Sequence, residues 1–230
     1  MQAFSLKYFF SFITVAAWCV TLNASGIKPI PSDTVYGFGI DISHHNPEPR
    51  WEELEVDFVI LKATEGSTYL DPTFRERLDK CKKAGLPVGA YHYYRGTNPT
   101  IEEFENFRSA MGMETDIIPV VDIEKLTKDV SLEEFLFKLR NFISLLEDEY
   151  GTIPIIYAKE NFYNRYLKGM LEEAWPGGNY HIWLGETDRP FGEYEIIPTL
   201  FQTKVKNLKG IEGTLDYNEL HLPLDSILLK

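Results

Sequence analysis

The sequence predicts a single α/β domain built as a barrel of about eight strands. Three observations predict it. Apolar, β-rich runs recur along the 230 residues, amphipathic stretches separate them, and polar residues collect where the runs end. Strands alternating with helices imply a parallel sheet, and about eight of them without an internal break imply closure into a barrel. A content of 44% hydrophobic and 25% charged residues suits one globular domain with a sizeable core.

The chain opens on a different pattern. Lys7 precedes an uncharged, mostly apolar stretch from Tyr8 to Leu22, followed by Asn23-Ala24-Ser25-Gly26. That is the layout of a secretory signal over residues 1–26, with small residues before the cut. The apolar core is shorter than the ~20 residues a spanning helix needs, so export to the periplasm or medium is expected ahead of an uncleaved anchor. A short linker over 27–35 then leads into the main domain, 36–230. Of the Lys and Arg residues only Lys7 falls before the cut, leaving 22 basic and 35 acidic side chains, a net charge of −13. That charge disfavours nucleic acid as a partner, and a neutral sugar polymer suits it better. Cys81 alone would remain of the two cysteines, so neither an internal disulfide nor a cysteine-rich metal site is available. Its expected place is the buried face of a helix.

The predicted strands are Phe38 to Ile42, Phe58 to Ala63, Val88 to Tyr94, Ile117 to Ile123, Ile153 to Tyr157, His181 to Leu184 and Thr199 to Gln202, with a weaker eighth run ending at Asp216. Helices are expected over Pro72 to Ala84, stopped by Gly85; over Thr100 to Met111, with Glu103 completing a capping box; and over Ser131 to Tyr150, with Glu134 doing the same before Gly151.

In such a barrel, reactive groups come from the C-terminal ends of different strands. Those ends carry Asp41, then Lys62 and Glu65, then Tyr91 to Arg95, then Asp122 and Glu124, then Tyr157, Trp183, Gln202 and Asp216. Asp122 and Glu124 are the most telling, because positions i and i+2 of a strand face the same side, ~6.5 to 7 Å apart at Cα. Two carboxylates so close do not ionise independently, and one that keeps its proton can protonate a leaving group. Tyr91 and Tyr93 alternate with His92, so only one set can line the cleft, and Tyr93 is the expected one. Lys62 on an apolar strand needs a partner, Glu65 or Asp41. His44, His45 and His92 raise the possibility of a metal-dependent sugar deacetylase, but adjacent histidines on an extended chain point apart, and structural roles are expected. An acidic cleft edged with aromatic faces suits carbohydrate, and two acids approaching from one strand suit a scheme in which the substrate's acetamido oxygen attacks.

Gly39-Ile40-Asp41-Ile42-Ser43-His44-His45, Lys62-Ala63-Thr64-Glu65-Gly66, Gly89-Ala90-Tyr91-His92-Tyr93, Asp122-Ile123-Glu124 and Leu215-Asp216-Tyr217-Asn218 occur in one order. In that order and approximate spacing, the chain from about Tyr36 to Leu220 resembles the Chalaropsis-type lysozymes, glycoside hydrolase family 25. The resemblance implies a flattened, irregular β/α barrel that cleaves the β-1,4 bond between N-acetylmuramic acid and N-acetylglucosamine in peptidoglycan, without a metal or other cofactor. It implies Glu124 as proton donor, with Asp122, Asp41 and Asp216 as surrounding acids, and Lys62, Glu65, Tyr93, Tyr157, Trp183 and Gln202 as substrate-lining residues. Phe201-Gln202-Thr203 and Trp183-Leu184-Gly185 depart from the usual Trp-Gln-Tyr and Trp-Ile-Ala, which bears on subsites and leaves the acids untouched. A monomer acting on glycan strands is expected, with no protein partner implied. The alternatives are a chitinase-like endo-N-acetylglucosaminidase and a catalytically silent glycan-binding protein.

Overall fold

The computed structural model describes residues 34–178, 180–185 and 198–230, without the side chains of residues 205 and 206. The expected secretory signal, and the linker up to residue 33, lie outside the described residues. In chain order the strands are β1 (Gly37–Ile42), β2 (Phe58–Glu65), β3 (Tyr69–Leu70), β4 (Val88–Tyr93), β5 (Val120–Asp122), β6 (Ile155–Lys159), β7 (Ile182–Gly185), β8 (Leu200–Lys206) and β9 (Thr214–Leu220). Hydrogen bonding runs β1-β2-β4-β5-β6-β7-β8-β9 and back to β1, so eight strands close a barrel, and β3 is a short appendage on β2.

The sheet is not wholly parallel. β9 runs antiparallel to both β8 and β1. The turn from β8 to β9 is only Asn207 to Gly213, too short for a crossover helix, so the chain must reverse as a hairpin. The eighth run therefore does not end at Asp216 but continues to Leu220, and Asp216 sits near its start. An antiparallel strand starts at the rim where its parallel neighbours end, which is how Asp216 still reaches that rim.

Prolines trim two other runs. Only Val120–Asp122 of the Ile117–Ile123 run joins the ladder, since Pro119 has no N–H to donate. β6 likewise begins after Pro154. The residues before Pro119 turn to the base of the barrel, where Ile118 donates to the Ile227 carbonyl at 2.9 Å and Leu229 to that of Asp116 at 2.8 Å.

Two apolar layers result from the alternation of side chains. Phe58, Ile60, Val120, Ile155, Leu200 and Leu220 fill the barrel interior. Gly39 faces it too, and a Cβ there would lie 2.2 Å from the Phe58 ring, so this position admits no side chain. Outward-facing Val59, Leu61, Val88, Ala90, Val121 and Ile156 pack beneath the helices. These are α1 (Phe74–Lys83), α2 (Thr100–Met111), α3 (Leu132–Tyr150), and α4 (Glu160–Phe162) continuing through a π-helical turn into α5 (Lys168–Ala174). Cys81 is fully buried on α1, as expected. Ser131 caps α3, accepting from the Glu134 N–H at 3.1 Å, and left-handed Gly151 stops it.

The capping box at Glu103 does not form. Pro99 is the N-cap of α2, and the Glu103 carboxylate turns inward to His92 Nε2 at 3.2 Å and the Arg95 N–H at 3.1 Å. Two donors, one buried and one partly so, hold it more strongly than the helix's own first turn could. Among the described residues, no helix is long and apolar enough to cross a membrane.

Candidate active site

A pocket of about 110 Å³ opens at the rim where the parallel strands end, lined by Asp41, Tyr91, Val120, Asp122, Glu124, Tyr157, Trp183, Gln202 and Asp216. Seven of these nine are residues the sequence singled out, brought together from β1, β5, β6, β7, β8 and β9 and the residues just beyond β5. Tyr91 and Val120 are additions. Tyr91 and Tyr93 belong to one inward set, Tyr91 inside the pocket and Tyr93 at its edge, while His92 turns outward among Phe107 and Phe142.

Tyr93 reaches the pocket through its hydroxyl, which donates to Glu124 Oε2 at 3.1 Å. Lys62 and Glu65 stand beside it. They are three apart in β2, a spacing that ordinarily places side chains on opposite faces. A bulge between Lys62 and Thr64 resets the alternation, so Lys62 Nζ meets Glu65 Oε2 at 2.6 Å. Burial works against Glu65's charge, yet its bonds to Lys62 and Arg95 hold the carboxyl below its ordinary value. Arg95 also lies 4.7 Å from the Tyr93 ring centroid and Lys62 5.2 Å from it, so two cations clamp the ring that touches Glu124.

The acids are not alike. Asp41 and Asp216 are direct cross-strand partners in the antiparallel β1–β9 pair. Burial first, and then the facing Asp216 charge, push the Asp41 carboxyl up to about 7, against hydrogen bonds from Asn218 and Gln202. Asp122 is raised well above the usual carboxylate range by burial and then by the charge of Glu124. Its Oδ1 is buried without a hydrogen-bond partner among the described residues, as is Trp183 Nε1. The site therefore retains protons among its carboxyls near neutral pH.

On the other side, Tyr157 Oη donates to Gln202 Oε1 at 2.8 Å, and Gln202 Nε2 donates to Asp41 Oδ1 at 3.1 Å. Asn218 Nδ2 donates to the same Asp41 oxygen at 2.8 Å. Asn218 was not singled out from sequence, although it stands two residues from Asp216 on the same strand face, the relation that drew attention to Asp122 and Glu124. Gly185 makes this arrangement possible: a Cβ would lie 2.4 Å from Tyr157 Oη and 2.8 Å from Gln202 Oε1.

His44 pairs with Asp71 through Nδ1 at 2.8 Å, and buried His92 bonds Thr64 and Glu103. Both are bracing contacts. Among the described residues, no three His, Cys, Asp or Glu side chains are grouped so as to hold a metal ion.

The model of glycosyl hydrolases family 25 matches residues 40–189. An autolytic lysozyme of Clostridium acetobutylicum is 30% identical over 169 residues, which is 73% of this chain; the chain spans about half (50%) of that relative's length. A family 25 glycosyl hydrolase from Bacillus anthracis superimposes with a TM-score of 0.71 at 24% identity, covering 84% of this chain and 92% of that one. A bacterial lysozyme from Streptomyces coelicolor does so with a TM-score of 0.70 at 22% identity, covering 85% and 96%. The two superpositions establish the fold independently of the family match. With its barrel closed in the same way and more than half its length matched by the family model, this chain belongs to the glycosyl hydrolases of family 25.

Proposed function

We propose that the protein is an exported N-acetylmuramidase, cleaving the β-1,4 bond between N-acetylmuramic acid and N-acetylglucosamine in bacterial peptidoglycan. The observation that carries this reading is the meeting of Asp122 and Glu124 with Asp41 and Asp216 around one pocket walled by Tyr91, Tyr157 and Trp183. Such walls stack against the C–H faces of a sugar, and the acids address its hydroxyls and its acetal oxygen.

Glu124 is the proton donor in this reading. It lies at the pocket's edge, and Tyr93 fixes the orientation of its carboxyl. Asp122, deeper and beside it, faces the acetamido group. Burial and mutual repulsion keep a proton within the pair, and delivery of that proton to the leaving oxygen lets Asp122 carry negative charge as the acetamido oxygen attacks the anomeric carbon. Lys62, Glu65 and Tyr93 form one flank of the cleft and Gln202 the other.

The test is product analysis on defined peptidoglycan. Muramic acid at the new reducing end supports the reading, and N-acetylglucosamine there assigns the chitinase-like alternative. Glu124→Gln should reduce clearing of a peptidoglycan suspension by about 10²- to 10⁴-fold, the usual worth of a positioned general acid. Clearing at the wild-type rate would refute the role given to Glu124.

A further inference from the structure

Asp41 is set apart from the other pocket acids by how it is held. Two amide donors from different strands, Asn218 Nδ2 on β9 at 2.8 Å and Gln202 Nε2 on β8 at 3.1 Å, converge on a single oxygen, Oδ1. The Gln202 amide cannot turn round without loss. The Gln202 oxygen is committed to the Tyr157 hydroxyl at 2.8 Å, which assigns its nitrogen to Asp41. Asn218 is fully buried and turns its nitrogen, not its oxygen, to the same Asp41 atom that Gln202 fixes as an acceptor.

We propose that Asn218 and Gln202 are positioning residues that confine the proton of Asp41 to Oδ2, so that Asp41 meets the substrate as a hydrogen-bond donor and not as an anion. An oxygen that already accepts two N–H bonds is the carbonyl oxygen of a neutral acid, and the hydroxyl is then the other one. The described surroundings favour the protonated form. Asp41 is faced by Asp216 across β9, and shares its pocket with Asp122 and Glu124 from β5 and beyond and with Tyr91 and Tyr157 of β4 and β6. None of these named groups is a cation, and the facing Asp216 charge opposes ionisation of Asp41. The ligand group that fits a fixed O–H donor is a neutral oxygen acceptor, such as a sugar hydroxyl or an amide carbonyl. This rests on the cleft being the sugar site, and it makes Asp41 a reader of substrate oxygen.

Two measurements test it. The first follows the Asp41 carboxyl by ¹³C NMR in aspartate-labelled protein, with the resonance assigned through Asp41→Asn. The expected midpoint is near 7 in the wild type. In Asn218→Leu it should move up by roughly one pH unit, because a bond that favours the anion is gone. Should Asn218→Leu not fold, Gln202→Met removes the other donor and carries the same expectation. A midpoint in the ordinary carboxylate range, or one that neither variant moves, would overturn the proposal.

The second compares Asp41→Asn with Asp41→Leu on soluble peptidoglycan fragments. Asparagine places its oxygen toward the two amides and an N–H where the hydroxyl stood, so kcat/KM should fall by about tenfold or less, against a hundredfold or more for leucine. Equal losses would overturn the donor role. If the carboxyl titrates as expected while no glycan is cleaved under any condition, the proton placement stands and the hydrolase reading is what fails.

Discussion

The Tyr93 hydroxyl donates to Glu124 Oε2 at 3.1 Å, and the ring that carries it is held between Lys62 and Arg95, whose own charges are tied to Glu65. Four side chains from β2, β4 and the loop after β4 thus converge on the orientation of one carboxyl. Tyr93→Phe removes the bond while leaving the clamped ring in place. Its kcat/KM should fall about tenfold with little change in Tm, measured on solubilised peptidoglycan. An unchanged rate would mean that Glu124 is oriented by other contacts.

Gly185→Ala tests the opposite wall. Its methyl would press on Tyr157 Oη and Gln202 Oε1, which are ends of side chains and can move, so the fold should persist. Their mutual bond should not, and Asp41 would lose one of its two donors. We expect a several-fold lower kcat/KM with a Tm change of a few degrees or less; a fully active variant would show that the Tyr157–Gln202 bond is dispensable.

Stability should depend on pH in a direction set by the raised carboxyls. Asp41 has its pKa raised from 3.8 to about 7, and Asp122 moves the same way, so folding favours their protonated forms. That contribution is complete below the unfolded value and is lost as pH rises through the folded one. Asp41→Asn and Asp122→Asn should therefore raise Tm at about pH 8 by a few degrees and change it little near pH 4. A gain only at acid pH would reverse the assigned direction.

Glu103 supports the site from behind. Its buried carboxylate accepts from the Arg95 N–H and pairs with His92, itself kept neutral chiefly by burial. Glu103→Ala strands both partners and leaves a void, and should lower stability by about 2–4 kcal/mol in urea titrations, with Glu103→Gln intermediate. A loss below about 0.5 kcal/mol would show that the pair is not what anchors Arg95.

What could be read from the chain beforehand follows its local periodicities. Helices α1 and α3 and the buried strands were legible because apolar spacing and glycine stops are written within a few residues. The acids at strand ends were legible because a charge inside an apolar run is conspicuous. The hairpin of β8 and β9 was hidden, since a short turn and a weakly apolar strand look alike in either direction. Glu103 carried a convincing capping signature that lost to His92 and Arg95, partners whose proximity only the closed barrel creates. Lys62 and Glu65 share a face because of a bulge that no pattern announces. Asn218 is within reach of the i, i+2 argument, but an uncharged side chain in a quoted motif gives no signal of its own for a place in the site.

Both ends of the described chain lie at the base of the barrel. Tyr36 bonds the Leu220 carbonyl, and Leu229 bonds that of Asp116, far from where Asp41 and Glu124 open to solvent. The floor of the barrel is thereby sealed by main-chain bonds of the first and last described segments, so side chains at the rim can change without disturbing where the described chain enters or leaves it.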